Sequence, residues 1–166
     1  MSEGHASLPI VTPDEIREKE PTVVQIGMTL DCRDPAALAR FWSLALGYVE
    51  APPPEGWQSW EAFLTDHDVP AEEWNDGAVI CDPGGVHPSL SLMKVPEPKR
   101  VKNRLHLDLK VSGGRQVDAQ TRLGRIETKV AELEEAGGTV QERFHAGGRL
   151  DHVLMLDPEG NEFCVV

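Results

Sequence analysis

The sequence predicts an α+β fold built from two copies of a βαβββ module, and three features support it. Two segments that alternate apolar and polar residues, IGMTLD at 26–31 and LHLDLK at 105–110, begin 79 residues apart. Two similar turns, DPGG at 82–85 and DPEG at 157–160, begin 75 residues apart. The predicted order of strand, helix and three strands also occurs twice. A repeated order at a nearly constant offset indicates an internal duplication.

The first module is expected to span residues 22–98, after an N-terminal tail at residues 1–21. The alternation in VVQIGMTLD predicts a half-buried strand over residues 23–31. Asp34 is then expected to cap a helix that ends at Gly47. The apolar residues of this helix recur at the spacing of one buried face: Leu38, Phe41, Trp42 and Ala45. The module is completed by strands at 48–51, 78–81 and 89–95 and by an irregular segment, 55–76, with a short helix around 60–64.

The second module is expected to span residues 99–166 and to begin with a strand over residues 105–111. A long helix follows, and Gly137-Gly138 ends it. Its predicted buried face consists of Leu123, Ile126, Val130 and Leu133. Three strands complete the module, at 139–144, 152–156 and 161–166.

Composition and charge exclude some classes of partner. The chain has 166 residues, 40% of them hydrophobic and 27% charged, as expected for one globular domain. Its net charge of −12 argues against nucleic acid and anionic membrane surfaces as partners and permits a cationic small molecule. No stretch is apolar enough for a membrane span, and the start lacks the pattern of a signal peptide. Three cysteines without a CxxC motif indicate reduced thiols, so we expect a cytoplasmic protein.

Four phrases carry a resemblance to a known family. They are DCRDPAALARFWSLALGY at 31–48, GWQSWEAFL at 56–64, VPEPKRVKNRLHLDLKV at 95–111 and DPEGNEFCVV at 157–166. Together they resemble the glyoxalase-like branch of the vicinal oxygen chelate superfamily, which is also called the glyoxalase/bleomycin resistance/dioxygenase superfamily. The resemblance implies a half-open, cup-shaped, eight-stranded sheet with a ligand cavity on its concave face, and a homodimer. Members include isomerases, dioxygenases, thiol transferases and metal-free drug-binding proteins, so the fold does not fix the function.

The resemblance also implies four metal-ligand positions, on the first and last strand of each module. In this sequence they are Gly27, Met93, His106 and Cys164. Glycine has no side chain, a thioether is a poor ligand for these ions, and the remaining two ligands are fewer than the three of a catalytic zinc. We therefore expect no metal cofactor, and neither glyoxalase I nor extradiol dioxygenase chemistry, which depends on the ion.

Strand alternation suggests which residues line the cavity. If His106 faces inward, Asp108 and Lys110 do as well, and His106 becomes an acid/base candidate that Asp108 or Glu162 orients. A buried structural histidine is the alternative, and a divalent metal held by Asp31, His106, Asp108 and Glu162 also remains open. The same alternation adds further cavity residues: Gln25, Thr29, Asp31, Ser91, Met93 and Cys164.

Trp57 and Trp60 belong to an irregular segment that also contains Phe63 and Trp74. They indicate either a lid over the cavity, suited to a planar or cationic ligand, or a small local core. Two functions follow as alternatives. One is a metal-free enzyme of the lyase or isomerase type that uses His106. The other is a binding protein of the bleomycin-resistance type that sequesters a cationic small molecule. The sequence leaves open whether the protein is an enzyme.

Overall fold

The structure, a computed structural model, describes residues 26–166. The first module contains β1 (Met28–Cys32), α1 (Pro35–Leu46), β2 (Val49–Glu50), β3 (Gly77–Cys81) and β4 (Leu90–Lys94). Between β2 and β3 lie α2 (Trp60–Asp66) and a 3₁₀ turn (Ala71–Glu73). The second module contains β5 (Asp108–Leu109), α3 (Ala119–Glu135), β6 (Thr139–Ala146), β7 (Arg149–Leu156) and β8 (Glu162–Val165). Gln25 and the tail at 1–21 lie outside the described residues.

The strands form two four-stranded sheets with the same topology. The strand orders are β1-β4-β3-β2 and β5-β8-β7-β6. In each sheet the first strand of the module runs parallel to the last, and the other pairs are antiparallel. The α+β fold of two βαβββ modules is therefore confirmed.

Helix α1 follows the sequence signals closely. The Asp34 carboxylate accepts a hydrogen bond from the Ala37 N–H at 3.1 Å, and Gly47 ends the helix in the left-handed conformation at φ 72°. The buried face contains the four predicted apolar residues and the first-turn proline: Pro35, Leu38, Phe41, Trp42 and Ala45.

Helix α3 departs from its prediction at one residue. Ile126, Val130 and Leu133 are fully buried, as the spacing predicts. Leu123 remains 37% exposed because it lines an open cleft between the first turns of α3 and the β6–β7 hairpin.

No helix within the described part of the chain is long and apolar enough to cross a membrane.

The strand predicted over residues 105–111 is reduced to two residues. On its N-terminal side, the Asn103 N–H donates to the Glu162 carboxylate, so the chain arrives as a loop. On its C-terminal side, the N–H groups of Val111 and Ser112 both donate to the Val166 carbonyl, at 2.9 and 3.0 Å. The Val111 bond continues the parallel pairing with the end of β8, but Ser112 shares the same acceptor, so the one-to-one pattern of the ladder ends there.

The two modules share one core. The rings of Phe41 and Trp42 on α1 pack edge-on against Phe163 on β8, with centroids 5.8 and 5.2 Å away. The modules are also joined by hydrogen bonds. The Glu159 carboxylate accepts the N–H groups of Arg33 and Asp34, and the Trp42 indole N–H donates to buried Asp157 at 3.2 Å. This packing fixes the second sheet against the first helix.

Candidate functional site

The second sheet presents one buried and one open face. Asp108 on β5 pairs with Cys164 on β8, and Cys164 lies opposite Leu154 on β7. Since paired residues share a face, these three side chains point the same way, and so does His152, which lies two residues before Leu154 on β7. The other face enters the core through Leu109, Val153, Met155, Phe163 and Val165.

A cavity of about 580 Å³ opens on this face, which we call the second-module pocket. Its size lies within the range of roughly 300–1,000 Å³ that small-molecule sites occupy. The lining residues come from the sheet and from the segment that leads into α3: Asp108, Lys110, Ser112, Gly113, Gly114, Arg115, Arg122, Asp151, His152, Cys164 and Val166.

The glycines of this lining have a steric reason. The Arg125 guanidinium donates to the Ser112 carbonyl at 3.1 Å, and a Cβ on Gly113 would approach its nitrogen to 2.5 Å. Gly113 and Gly114 also have φ values of +83° and +93°, which other residues rarely adopt. The tight loop therefore brings Arg115 to the rim of the pocket.

Cys164 is half-buried beside Asp108. Burial raises the pKa of its thiol, and the charge and hydrogen bond of Asp108 raise it further. A raised pKa favours the thiol over the thiolate at neutral pH, which suits a hydrogen-bonding role and disfavours a nucleophile.

His152 is held from two sides. Its Nδ1 lies 3.0 Å from the Asp151 carboxylate, and its ring stacks on Phe144 with centroids 4.5 Å apart. The hydrogen bond to His152 lowers the pKa of Asp151, and the nearby charges of Arg115 and Arg122 lower it further. An imidazole that donates from Nδ1 to a carboxylate presents Nε2 as an acceptor.

Glu162 and His106 do not line the second-module pocket. The Glu162 carboxylate is 3.1 Å from Lys99 Nζ and 3.0 Å from the Asn103 N–H. Burial alone would raise the pKa of Glu162, but these two partners outweigh it and lower the pKa to about 2. His106 is half-buried, and among the described residues its ring makes no hydrogen bond. The structure thus groups Asp108 with Cys164 and places Glu162 against the segment 95–107 between β4 and β5, which we call the connector.

The predicted cavity residues of the first module lie on the other sheet. Thr29 pairs with Ser91 and Asp31 pairs with Met93, so the four share the open face of that sheet. Met93 is 53% exposed, and a Cβ on Gly27 would meet nothing within 4 Å. None of these five residues lines the second-module pocket.

Trp57 and Trp60 pack within their own segment. The Trp57 ring lies 5.1 Å from Phe63 and 5.3 Å from His67. The Trp60 indole N–H donates to the Ala51 carbonyl at 2.7 Å. Neither tryptophan lines the second-module pocket, and their contacts are those of a small core local to the insertion.

The residues present do not fit a divalent metal. Within residues 26–166, no three His, Cys, Asp or Glu side chains come together in an arrangement that would hold an ion. Of the four family ligand positions, Gly27 offers no donor atom and Met93 a thioether, and the two that remain, His106 and Cys164, are fewer than the three ligands of a catalytic zinc.

Sequence reasoning did not select Arg115, Arg122, Asp151 or His152. His152 had a local signal, because HVLML places it two residues before Leu154 on the face that carries Cys164. The two arginines had no such signal, since only the tertiary fold brings the start of α3 to this face.

Comparisons with known proteins agree with the fold. A sequence model of the glyoxalase-like domain matches residues 27–166. A search of curated proteins finds no match. A structure described as a possible glyoxalase from Bacillus cereus is 18% identical, with a TM-score of 0.53 over 87% of this chain and 99% of that one.

Two fosfomycin resistance proteins are also similar. FosX from Mesorhizobium loti is 12% identical, with a TM-score of 0.54 over 86% of this chain and 90% of that one. A variant of FosX from Listeria monocytogenes was solved in complex with Mn(II) and 1S,2S-dihydroxypropylphosphonic acid. It is 9% identical, with a TM-score of 0.53 over 86% of this chain and 88% of that one. At such identities the likeness concerns the fold alone. With the family match over nearly all of the described residues, the chain belongs to the glyoxalase-like domain family of the vicinal oxygen chelate superfamily.

Proposed function

We propose that this protein binds a small organic molecule in the second-module pocket without the help of a divalent metal. The observation that carries the proposal is a cavity of about 580 Å³ over Asp108, Cys164 and His152. It lies on the open face of the second sheet, where polar groups from the sheet and from the segment before α3 converge, and convergent polar groups are a feature of ligand sites. The donor set at the family ligand positions supports the metal-free part.

A lyase or isomerase activity is the second candidate, and one observation favours it. Asp151 and Phe144 hold the His152 ring at the pocket wall, so that Nε2 can accept or return a proton. His152 thus joins His106 as an acid/base candidate. The remaining alternative is a protein that sequesters its ligand unchanged.

Location and assembly belong to the same proposal. The three cysteines, Cys32, Cys81 and Cys164, form no disulfide, which supports a reducing compartment such as the cytoplasm. Large apolar side chains remain exposed at Ile26 and Leu105, which supports a homodimer.

Native mass spectrometry of freshly purified, tag-free protein tests the proposal, followed by ¹H–¹⁵N spectra with a fragment library. We expect bound molecules to shift the amide signals of residues 108–115 and 164–166. His152→Ala should weaken binding, whereas His145→Ala, on exposed β6 and outside the pocket, should not. Conversion of the bound molecule would identify an enzyme, and its unchanged recovery a binding protein.

Two results would overturn the proposal. One is a library in which no compound shifts the pocket signals. The other is elemental analysis that finds about one divalent ion per chain, which is the stoichiometry of a catalytic metal site. That result would contradict only the claim that binding needs no metal.

A further inference from the structure

We propose that the second-module pocket selects ligands that carry a carboxylate, phosphate or phosphonate group, and that Arg115, Arg122 and Lys110 bind this group. The inference rests on the proposed function and names the chemical class of its ligand. It differs from the cationic ligand that the net charge of −12 suggests, because the local charge of the pocket has the opposite sign.

The first support is this local charge. Three basic side chains line the pocket, against the two carboxylates of Asp108 and Asp151. The formal charge of the lining side chains is therefore positive, and a local excess of positive charge attracts anionic ligands even when the whole molecule is negative. Arg115 and Arg122 also act on Asp151, since both lower its pKa, which places them at the His152 end of the pocket.

The second support is that these three cations lack ion-pair partners. Four lysine and arginine side chains of residues 26–166 form salt bridges with carboxylates: Lys94, Lys99, Lys129 and Arg143. The salt bridges within residues 26–166 include none that involves Lys110, Arg115 or Arg122. Their charges are therefore available to a ligand.

The third support is a single atom. Arg122 Nε is buried without a hydrogen-bond partner, and no other buried side-chain nitrogen or oxygen in the described residues is in that state. A buried donor without an acceptor is unfavourable. Arg122 lines the pocket, so an oxyanion bound there would supply an acceptor for its guanidinium N–H groups. Guanidinium groups favour a two-point geometry with carboxylates and phosphates.

Chemical-shift titrations with four related probes test the assignment. Benzoate and phenylphosphonate carry the two kinds of anion, benzyltrimethylammonium a cation, and benzyl alcohol no charge. We expect at least one anion to shift the amide signals of residues 112–115. Arg122→Gln should weaken that binding about tenfold or more, since a hydrogen bond to a charged group contributes on the scale of one decade of affinity.

Arg40→Gln is the matched control, because Arg40 is exposed on α1, outside the pocket, and the substitution removes the same charge. It should bind the anion as the wild type does. Lys110→Gln replaces Arg122→Gln if a thermal melt shows the latter to be unfolded.

A pocket that responds to benzyl alcohol or benzyltrimethylammonium but to neither anion would overturn the anion assignment and leave the proposed function intact. Equal loss of anion binding in Arg40→Gln and Arg122→Gln would also overturn it, because the effect would then be general electrostatics. If none of the four probes shifts the pocket signals, the anion assignment is also overturned. The fragment library then tests the proposed function separately.

Discussion

Asp157 is the polar group most enclosed by hydrogen-bond donors in the shared core. It is 3% exposed and accepts from the Trp42 indole, from the N–H groups of Glu159 and Asn161, and from the Asn161 amide. The internal duplication supplies a comparison. Asp82 begins the equivalent turn of the first module and accepts the N–H groups of Gly84, Val86 and His87, but its surroundings are more open.

We expect Asp157→Ala to destabilise the protein by about 2–4 kcal/mol, since it leaves buried donors unsatisfied. Asp82→Ala should have a smaller effect, because water reaches the donors of its turn. Urea unfolding followed by tryptophan fluorescence measures both. If both variants lose the same free energy of unfolding, the contacts of Asp157 with Trp42 and the core contribute no stability beyond that of an exposed turn.

His106 carries the acid/base prediction made from the sequence, and its role remains a prediction. If it faces a solvent-filled cavity, His106→Ala should change the free energy of unfolding by less than about 1 kcal/mol. Leu109→Ala, on the buried face of β5, should cost about 2–5 kcal/mol. Thermal and urea melts of the two variants decide the matter, and a His106→Ala variant as unstable as Leu109→Ala would make this histidine structural.

The candidate site was predictable from the sequence only in part. Strand alternation groups Thr29 with Asp31, because alternation is a local property of one strand. The pairing of Asp108 with Cys164 joins two strands that are far apart in the sequence, and alternation alone does not predict it. It does not reveal which face meets a loop from another element. Arg115 and Arg122 reach the pocket through the Gly113–Gly114 turn, and that approach depends on tertiary packing.

At the scale of elements, helices were predicted more accurately than the strand that follows the connector. Asp34, Pro35 and Gly47 define α1 through contacts within a few residues of the chain. Strand β5 depends on residues far away in the sequence: Glu162 accepts the Asn103 N–H, and the Val166 carbonyl accepts the N–H groups of both Val111 and Ser112. Such long-range hydrogen bonds are not visible in a local sequence pattern.

The bonds that the Glu162 carboxylate on β8 makes to Lys99 and Asn103 of the connector should make the free energy of unfolding depend on pH. The pKa of Glu162 is lowered from 4.5 to about 2 in the folded protein. A carboxyl group whose pKa is depressed by folding contributes stability above its unfolded pKa and loses it as the pH falls through the folded value. We therefore expect the advantage of the wild type over Glu162→Gln to be complete at pH 7 and to shrink between about pH 4.5 and about pH 2.

Urea unfolding at a series of pH values measures this difference. Glu127→Gln is the control, because Glu127 pairs with Arg143 in an exposed ion pair on α3 and exposed pairs contribute little. A stability difference for Glu162→Gln that stays constant from pH 7 to pH 3, or that grows in acid, would contradict the assignment of Glu162 to the connector.

At the scale of the whole molecule, two open sheets leave apolar surface that a single chain does not cover. Val49 and Met93 are 49% and 53% exposed, and Ile26 and Leu105, next to the first strand of each module, are 72% and 75% exposed. The resemblance to the family implies that two chains pair. In a symmetric dimer the same apolar patch of each chain would be buried against its copy.

We expect a homodimer with twice the 18.3 kDa mass of the chain, measured by light scattering at micromolar concentration. Leu105→Asp should shift the population to monomer, because it places a charge in an apolar contact. Val86→Asp is the matched control, since Val86 is 80% exposed in the turn between β3 and β4, away from the first strands. A wild-type mass near 18.3 kDa would refute the dimer. Dissociation by both substitutions would place the interface elsewhere, because only Leu105 lies beside a first strand.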